Sequence, residues 1–192
     1  MSKIDFRPGT MIYPLPAVMV SCGSHPEEYN IITVSWTGTI CSDPPMCYIS
    51  VRPERTSYPV IRKNGEFVIN LTTEQLARAT DWCGCRSGSR YDKWKEMNLT
   101  PQPSKIVKAP GIEESPANIE CVVKQVIPLG SHDMFIAEVM NITVDDRYMD
   151  NKGAFRFCDA LPLVYNHGHY FKLGEPIGKF GWSVEKKKAK KQ

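Results

Sequence analysis

The sequence predicts a mainly β protein, built as an antiparallel barrel or sandwich with a few short helices. Two observations predict this class. Apolar residues recur mostly with a period of two rather than 3.6, and Gly, Pro and Asp residues separate the apolar runs. At 192 residues with 42% hydrophobic content, the chain suits one domain with a real core. We expect one folded unit over residues 1–182 and a lysine-rich, disordered tail over residues 183–192.

Strands are expected wherever an apolar run lies between turn-forming residues. The pattern predicts strands over residues 17–22, 31–40, 46–51, 66–71, 117–127, 135–144, 161–165 and 169–172. A Pro-Pro pair at residues 44–45 separates the second strand from the third. Residues 101–116 are rich in proline, and a surface loop is expected there.

Three short helices are expected between the strands. Residues 56–64 begin with Thr56 and Ser57, which are typical N-capping residues. Residues 73–82 show the strongest helical pattern, with a threonine at the start to cap it. A third helix is expected over residues 91–97.

Charge and cysteine content exclude several classes of protein. The formal net charge is +3, and five lysines lie within residues 186–191, so the rest of the chain is no polyanion binder. The N-terminal residues lack the apolar core of a signal peptide, and no run approaches the roughly 18 apolar residues of a membrane span. Seven cysteines without an export signal indicate free thiols in a reducing compartment. We therefore expect a cytoplasmic protein without a nucleic-acid or membrane partner.

The sequence lacks the motifs of several common catalytic and metal sites. Cys83-Gly84-Cys85 is one thiol pair without a second, so no metal site is predicted. A redox role for Cys83 and Cys85 beside Arg86 stays open. A nucleophile elbow, a Walker loop and a dinucleotide-binding glycine motif are all lacking. Any chemistry would come from a bound cofactor, or the protein would only bind a ligand.

A candidate anion site follows the third predicted strand. Arg52 and Arg55 bracket a turn that continues into Thr56 and Ser57. If one of these hydroxyl residues begins a helix, its free amides face the same place as the guanidinium groups. A phosphate monoester would fit there, whereas the alternative is a solvated turn with surface arginines. Lys93 could add a further positive charge.

One predicted strand carries alternating hydroxyl groups. Alternation puts Thr33, Ser35 and Thr37 on one face and Val34 and Trp36 on the other. Such a row of hydroxyl and backbone groups can bind a flat heteroaromatic ring. A half-exposed strand with a solvent face explains the same pattern.

Several short motifs follow one another in a characteristic order between residues 14 and 182. They are Asn30-x-x-Thr33-x-Ser35-Trp36, Ser42-Asp43-Pro44-Pro45, Ser50-Val51-Arg52-x-x-Arg55-Thr56-Ser57, Glu66-Phe67-Val68-Ile69-Asn70, Cys83-Gly84-x-x-Ser87-Gly88 with Asp92-Lys93, Gly130-Ser131-His132 with residues 134–139, and Gly178-x-x-Gly181. In order and spacing they resemble the flavin reductase-like, FMN-binding split-barrel family, and within it the flavoredoxin group.

The resemblance implies a split β-barrel of Greek-key type, normally a homodimer, with FMN at or near the dimer interface. It implies ring contacts from Thr33, Val34, Ser35, Trp36, Thr37, Thr39 and Cys41, and ribityl or phosphate contacts from Ser50, Arg52, Arg55, Thr56, Ser57 and Lys93. His132 matches the family's histidine near the flavin edge, although Ser131 replaces the usual Asp. Tyr165 stands where the family often places an aromatic residue against the cofactor.

The resemblance also implies a redox flavoprotein. Electrons would pass from NAD(P)H, or from a small iron–sulfur protein, through FMN to an acceptor. His132 would be the catalytic residue, acting as a positioning or proton-relay group. A reductase that releases reduced flavin, a carrier that retains FMN, and a non-enzymatic FMN store or sensor remain alternatives.

Overall fold

The computed structural model describes residues 1–185 and confirms a mainly β protein. Of the disordered tail predicted over residues 183–192, residues 186–192 lie outside the described residues. The strands are β1 Leu15–Pro16, β2 Val18–Cys22, β3 Asn30–Val34, β4 Thr37–Ser42, β5 Pro45–Val51, β6 Glu66–Asn70, β7 Pro101–Gln102, β8 Gly111–Ile112, β9 Ala117–Pro128, β10 Asp133–Val144, β11 Leu163–Asn166 and β12 His169–Lys172. Seven of them form one antiparallel sheet in the order β3-β2-β6-β9-β10-β5-β4.

The strands β3 and β4 follow each other in the chain but lie at opposite edges of the sheet, so the sheet has to curl. Only Ser35 and Trp36 separate β3 from β4. A flat sheet of seven strands would place its edges roughly 29 Å apart, which two residues cannot span. The Ser50 amide donates a hydrogen bond to the Trp36 carbonyl (2.9 Å), next to the closure. Because β3 and β4 do not pair with each other, the barrel is split between them, as predicted.

This closure overturns the prediction of one continuous strand over residues 31–40. The chain bends at Ser35 and Trp36, since it leaves one sheet edge and joins the other there. Thr33 and Thr37 therefore belong to different strands and do not share a face with Ser35. Thr37 instead donates its hydroxyl to the Tyr48 carbonyl (2.6 Å).

Strand β2 is buried along its whole length, and one apolar cluster lies on each of its two faces. Val18, Val20 and Cys22 belong to the barrel interior, together with Phe67 and Phe135. The other cluster joins the outer face of the sheet to the helical layer and contains Met19, Ile31, Leu76, Ala79, Cys83, Trp94, Leu99 and Ile112. Burial on both faces explains why β2 is an unbroken apolar run.

Three α-helices lie among the described residues: α1 Ser57–Asn64, α2 Ala77–Cys85 and α3 Lys93–Glu96. Single 3-10 turns occur at Pro26–Glu28, Glu74–Leu76, Asp146–Tyr148, Phe157–Ala160 and Trp182–Val184. The second helix thus begins as a 3-10 turn, and Thr73 makes no side-chain cap there. Asp92 caps α3 by accepting from the amides of Trp94 (3.1 Å) and Lys95 (3.2 Å). None of the helices in this part of the chain is long and apolar enough to cross a membrane.

Helix α2 lies directly against β3. A Cβ atom added to Gly84 would meet the Thr33 Cβ at 3.2 Å, so the glycine permits the close approach. The Thr33 hydroxyl donates to the Thr80 carbonyl, one turn earlier in α2. This contact positions the C-terminal end of α2 over the sheet edge beside the split.

Residues 101–116 are not the simple surface loop that the proline content predicts. β7 and β8 pair with each other, and Val107, Ala109 and Ile112 are buried. The buried Glu120 carboxylate accepts hydrogen bonds from the amides of residues 105, 106 and 107 at 3.0, 2.6 and 3.1 Å. A buried carboxylate therefore replaces the backbone partners that a strand would have supplied.

Replacing Glu120 with Gln is expected to lower the free energy of unfolding by about 2–3 kcal/mol at neutral pH, because an amide cannot accept all these bonds. Burial alone would raise the pKa of Glu120, but the backbone amides and Asn141 lower it overall. The ionised Glu120 carboxylate therefore stabilises the folded protein at pH values above the pKa of this group in the unfolded chain. That stabilisation is lost as the pH falls through the lower pKa of Glu120 in the folded protein.

Urea unfolding at neutral and acidic pH measures this effect. Glu138→Gln is the matched control, since Glu138 makes a partly exposed ion pair with Lys124 (2.7 Å) and should contribute below about 1 kcal/mol. Equal stability losses in the two variants, or a Glu120→Gln loss that does not shrink in acid, would contradict the role of Glu120.

Candidate functional site

A groove runs between the split of the barrel and the helical layer. It consists of two adjoining cavities of about 310 and 410 Å³, which share Ile32, Arg52, Arg55 and Gly84. We call the first cavity the arginine end and the second the aromatic end. Because they share these walls, one elongated ligand can occupy both.

The arginine end is built by the turn between β5 and α1. The Arg55 amide donates to the Arg52 carbonyl (3.1 Å), and the Tyr58 amide donates to the Arg55 carbonyl (2.9 Å). Arg52 lies 3.5 Å from Glu54, but both side chains are about half exposed or more, so this pair is weak. Both guanidinium groups line the cavity and remain available to an anion.

Thr56 and Ser57 differ in what their hydroxyl groups do. Thr56 takes the N-cap position of α1, but with helical dihedral angles and without a side-chain cap, which corrects the predicted capping. Its hydroxyl lies 3.0 Å from the Ser87 hydroxyl instead. Ser57 is buried and accepts a hydrogen bond from the Asn30 amide group (2.9 Å). Both residues line the arginine end.

Lys93 reaches the arginine end from α3 and is 4% exposed. Its Nζ donates to the carbonyls of Ile31 (2.6 Å) and Cys83 (2.7 Å). An ammonium group has three N–H bonds, so one remains for the cavity. Burial lowers the pKa of Lys93 from its usual value. Lys93 therefore joins α3, β3 and α2 in addition to any ligand contact.

The aromatic end is formed on one side by Trp36 and His132. Their ring centroids are 4.3 Å apart, and Ser131 Oγ lies 2.9 Å from His132 Nδ1. Burial, followed by the positive charge of Arg52, lowers the pKa of His132. Both effects favour the neutral form of the imidazole. Ser131, which replaces the Asp usual in the resemblance, supplies a hydroxyl partner to this ring.

The opposite side of the aromatic end is built by α2 and the hairpin of β11 and β12. Tyr165 and Tyr170 pack edge to face with centroids 5.6 Å apart. Burial and the nearby Asp81 carboxylate raise the pKa of Tyr170 to about 12. Cys85 also lines this cavity and is exposed. A flat ligand at this end would therefore lie between two aromatic walls.

The structure brings most of the predicted site residues together. The aromatic end contains Thr33, Val34, Ser35, Trp36, Ser50, Arg52, Arg55, His132 and Tyr165. The arginine end contains Arg52, Arg55, Thr56, Ser57 and Lys93. Thr37, Thr39 and Cys41 lie on β4 beyond the bend and line neither end.

The lining residues missed by the sequence reasoning include Asn30, Asp81, Arg86, Ser87, Gly88 and Tyr170. Asn30, Ser87 and Gly88 belong to the quoted motifs, so their spacing was a usable signal. Asp81 and Tyr170 approach each other only through the packing of the β11–β12 hairpin against α2, for which the sequence carries no local signal. In the described residues no three His, Cys, Asp or Glu side chains group as a metal site.

These features fit a flavin mononucleotide. One end of the groove offers the three guanidinium groups of Arg52, Arg55 and Arg86, an ammonium and hydroxyl groups, which suit a phosphate monoester. The other end offers aromatic walls and the backbone of residues 33–36, which suit a flat heteroaromatic ring. The two ends adjoin at the walls that they share.

Comparison with known proteins agrees with this geometry. Among relatives, an uncharacterised protein of Pyrococcus abyssi (strain GE5 / Orsay) is 34% identical over 133 residues, covering 69% of this chain and 76% of its own. The FMN reductase (NADH) RutF of Cronobacter turicensis is 21% identical, covering 84% of this chain and 87% of its own.

Among solved structures, the flavoredoxin of Desulfovibrio vulgaris (Miyazaki F) superposes with a TM-score of 0.88 and 28% identity. The match covers 96% of this chain and all of that chain. The sequence profile of the flavin reductase like domain matches residues 10–174. The chain therefore belongs to the flavin reductase like domain family.

Proposed function

We propose that this chain is an FMN-binding redox flavoprotein, with residues 1–182 as the flavin-binding unit. The observation that carries the proposal is the continuous groove with an anion-binding end and an aromatic end. The similarity to flavoredoxin and to an NADH-dependent FMN reductase supports the same function. Bound FMN would supply the ability to accept a hydride or single electrons and pass them on.

The phosphate would be held at the arginine end. Arg52 and Arg55 supply charge-assisted hydrogen bonds, and Thr56 and Lys93 supply further donors. Ser57 fixes the turn through Asn30, so the donors are placed before the ligand arrives. A preformed site limits the entropy cost of binding.

The ring would be held at the aromatic end, where Trp36 and His132 form one wall and Tyr165 the other. The Thr33 hydroxyl is already bound to Thr80, so Thr33 would contact the ring through its backbone. Contacts from Thr37, Thr39 and Cys41 remain predictions, because these residues lie past the bend. A neutral His132 can exchange a proton with solvent while it positions the reacting edge.

The electron donor would be NADH or NADPH, or a small iron–sulfur protein. The similarity to RutF supports a pyridine nucleotide, and the similarity to flavoredoxin supports a carrier that retains FMN. The alternative is an FMN store or sensor without catalysis. Reduction by a pyridine nucleotide distinguishes these functions.

A homodimer remains part of the proposal. Ile12, Ile177, Phe180 and Val184 are each more than 80% exposed, which suits an interface with a second copy. Sedimentation velocity should give twice the chain mass of 21.7 kDa. A single species at the monomer mass at micromolar concentration would contradict the dimer.

Replacing Arg55 with Gln should weaken FMN binding at least about tenfold, since a charge-assisted contact to the phosphate is lost. Riboflavin, which lacks the phosphate, should bind equally to both proteins. Fluorescence titration measures both affinities. Arg78→Gln removes an exposed arginine outside the groove and is the matched control. An Arg55→Gln protein with unchanged FMN affinity would exclude the arginine end as the phosphate site.

Anaerobic addition of NADH or NADPH to the FMN-loaded protein should abolish the visible absorbance of oxidised flavin. Free FMN at the same concentration is the control for uncatalysed reduction. If the absorbance of oxidised flavin persisted with both nucleotides, the proposed reductase function would be contradicted. If reduced ferredoxin then bleached the flavin, the carrier function would hold; if it did not, the store or sensor function would be favoured.

A further inference from the structure

A third cavity adjoins the arginine end of the groove. Its volume is about 680 Å³, and Gly88 lines both it and the arginine end. Its lining includes aromatic and charged side chains, namely Tyr29, Tyr91, Trp94, Glu27, Arg90 and Asp92. None of these side chains lines the groove, so the third cavity is a candidate site of its own.

Trp94 brings an unpaired hydrogen-bond donor to the wall of the third cavity. The side chain is 7% exposed, and its indole Nε1 makes no hydrogen bond with any of residues 1–185. A buried N–H group without a partner is costly, and the indole nitrogen can only donate. An acceptor atom on a ligand in the cavity would supply the missing partner.

The rings in the wall are held in place and suit an aromatic ligand. The ring centroids of Tyr29 and Trp94 lie 6.3 Å apart, and their planes are tilted by 53°. Tyr91 packs edge to face on Trp82 at 5.5 Å, and the Arg86 guanidinium lies 5.7 Å from the centroid of Tyr91. Aromatic rings prefer tilted or offset contacts, so a ligand ring can pack against Tyr29 and Tyr91 without rearranging them.

Arg90 offers a guanidinium group for a carboxylate. It is exposed and makes no ion pair with any carboxylate among residues 1–185. The backbone amides of Arg90 (3.1 Å) and Tyr91 (3.2 Å) both donate to the Ser87 carbonyl, which fixes the turn that carries this side chain. A guanidinium group can bind a carboxylate through two parallel hydrogen bonds.

Asp92 and Glu27 offer acceptors for an ammonium group in the same cavity. Asp92 Oδ1 accepts from the amides of Trp94 (3.1 Å) and Lys95 (3.2 Å), which orients the carboxylate. Glu27 lies 2.9 Å from His25 Nδ1. One guanidinium beside two carboxylates disfavours a ligand with several negative charges, because those charges would repel the carboxylates.

We propose that the third cavity binds a free α-amino acid with an aromatic side chain. The ligand's carboxylate would pair with Arg90 and accept from Trp94 Nε1, and its ammonium group would pair with Asp92 and Glu27. The ligand's ring would pack against Tyr91. A zwitterion pairs with both signs of charge in the cavity, whereas a simple anion or a simple cation pairs with only one. Because the site lies outside the groove, its occupancy does not require bound FMN.

An NMR titration of the full chain, labelled with nitrogen-15, tests this site with L-phenylalanine as the probe. The Trp94 Nε1–H signal, assigned with a Trp94→Phe variant, should shift and saturate with a dissociation constant of about 1 mM or lower. Phenethylamine lacks the carboxylate and 3-phenylpropionate lacks the ammonium, so each should bind about tenfold more weakly. L-leucine, which has no ring, should bind about fivefold more weakly.

Charge-removing variants should act on one ligand group each. Arg90→Gln should weaken L-phenylalanine binding about tenfold and leave phenethylamine binding within about twofold. Asp92→Asn retains an N-cap for α3 and should weaken L-phenylalanine binding about tenfold, with 3-phenylpropionate binding within about twofold of the native value. Arg78→Gln, which lies outside the third cavity, is the matched control and should leave every affinity unchanged.

The outcomes separate this site from the proposed function. The amino-acid site is wrong if L-phenylalanine gives no saturable shift, or if it binds no better than its two analogues. It is also wrong if adenosine monophosphate saturates the cavity and L-phenylalanine does not, since the cavity would then bind a nucleotide. A chain that binds L-phenylalanine as expected and binds no FMN would overturn the proposed function alone.

Discussion

The two-residue bend at Ser35 and Trp36 is the constraint on which the rest of the structure depends. The bend carries the chain from one edge of a seven-stranded sheet to the other, so the sheet has to close into a barrel. The same bend puts the Trp36 ring next to His132. Barrel closure and the aromatic end of the groove are therefore consequences of one local feature.

A second set of contacts joins the helical layer to the barrel beside the groove. Lys93 binds carbonyls of β3 and α2, and Asn30 binds Ser57 at the start of α1. Buried polar groups of this kind are costly unless they are paired, so each element is held in one arrangement. The arginine end is thus shaped by contacts that serve the fold first, and it presents donors that need no rearrangement.

The two ends of the groove would bind different parts of the ligand. Arg86 and Lys93 line the arginine end alone, Arg52 and Arg55 line both ends, and the rings of Trp36, His132 and Tyr165 line the aromatic end alone. The lowered pKa of His132 follows from burial and from Arg52, so the charges that suit a phosphate also keep the imidazole neutral.

The sequence was sufficient to predict the class of fold and the grouping of residues at the arginine end. It was insufficient to predict which distant residues meet in the walls of the aromatic end. Period-two patterns and turn residues found β6, β9 and β10, because these strands alternate or are buried on both faces. The bend inside residues 31–40 was missed, since nothing local distinguishes a strand that changes sheet edges from a straight one. Arg52, Arg55 and Ser57 are close in sequence, so their grouping was predictable, whereas Asp81 and Tyr170 meet only through tertiary packing.

The most direct test of the proposed site is a crystal structure of the protein with FMN bound. We expect the FMN phosphate about 3 Å from the Arg55 guanidinium, with the ring between Trp36 and Tyr165. A phosphate bound away from the turn between β5 and α1, or a ring outside the aromatic end, would show that the groove is not the FMN site.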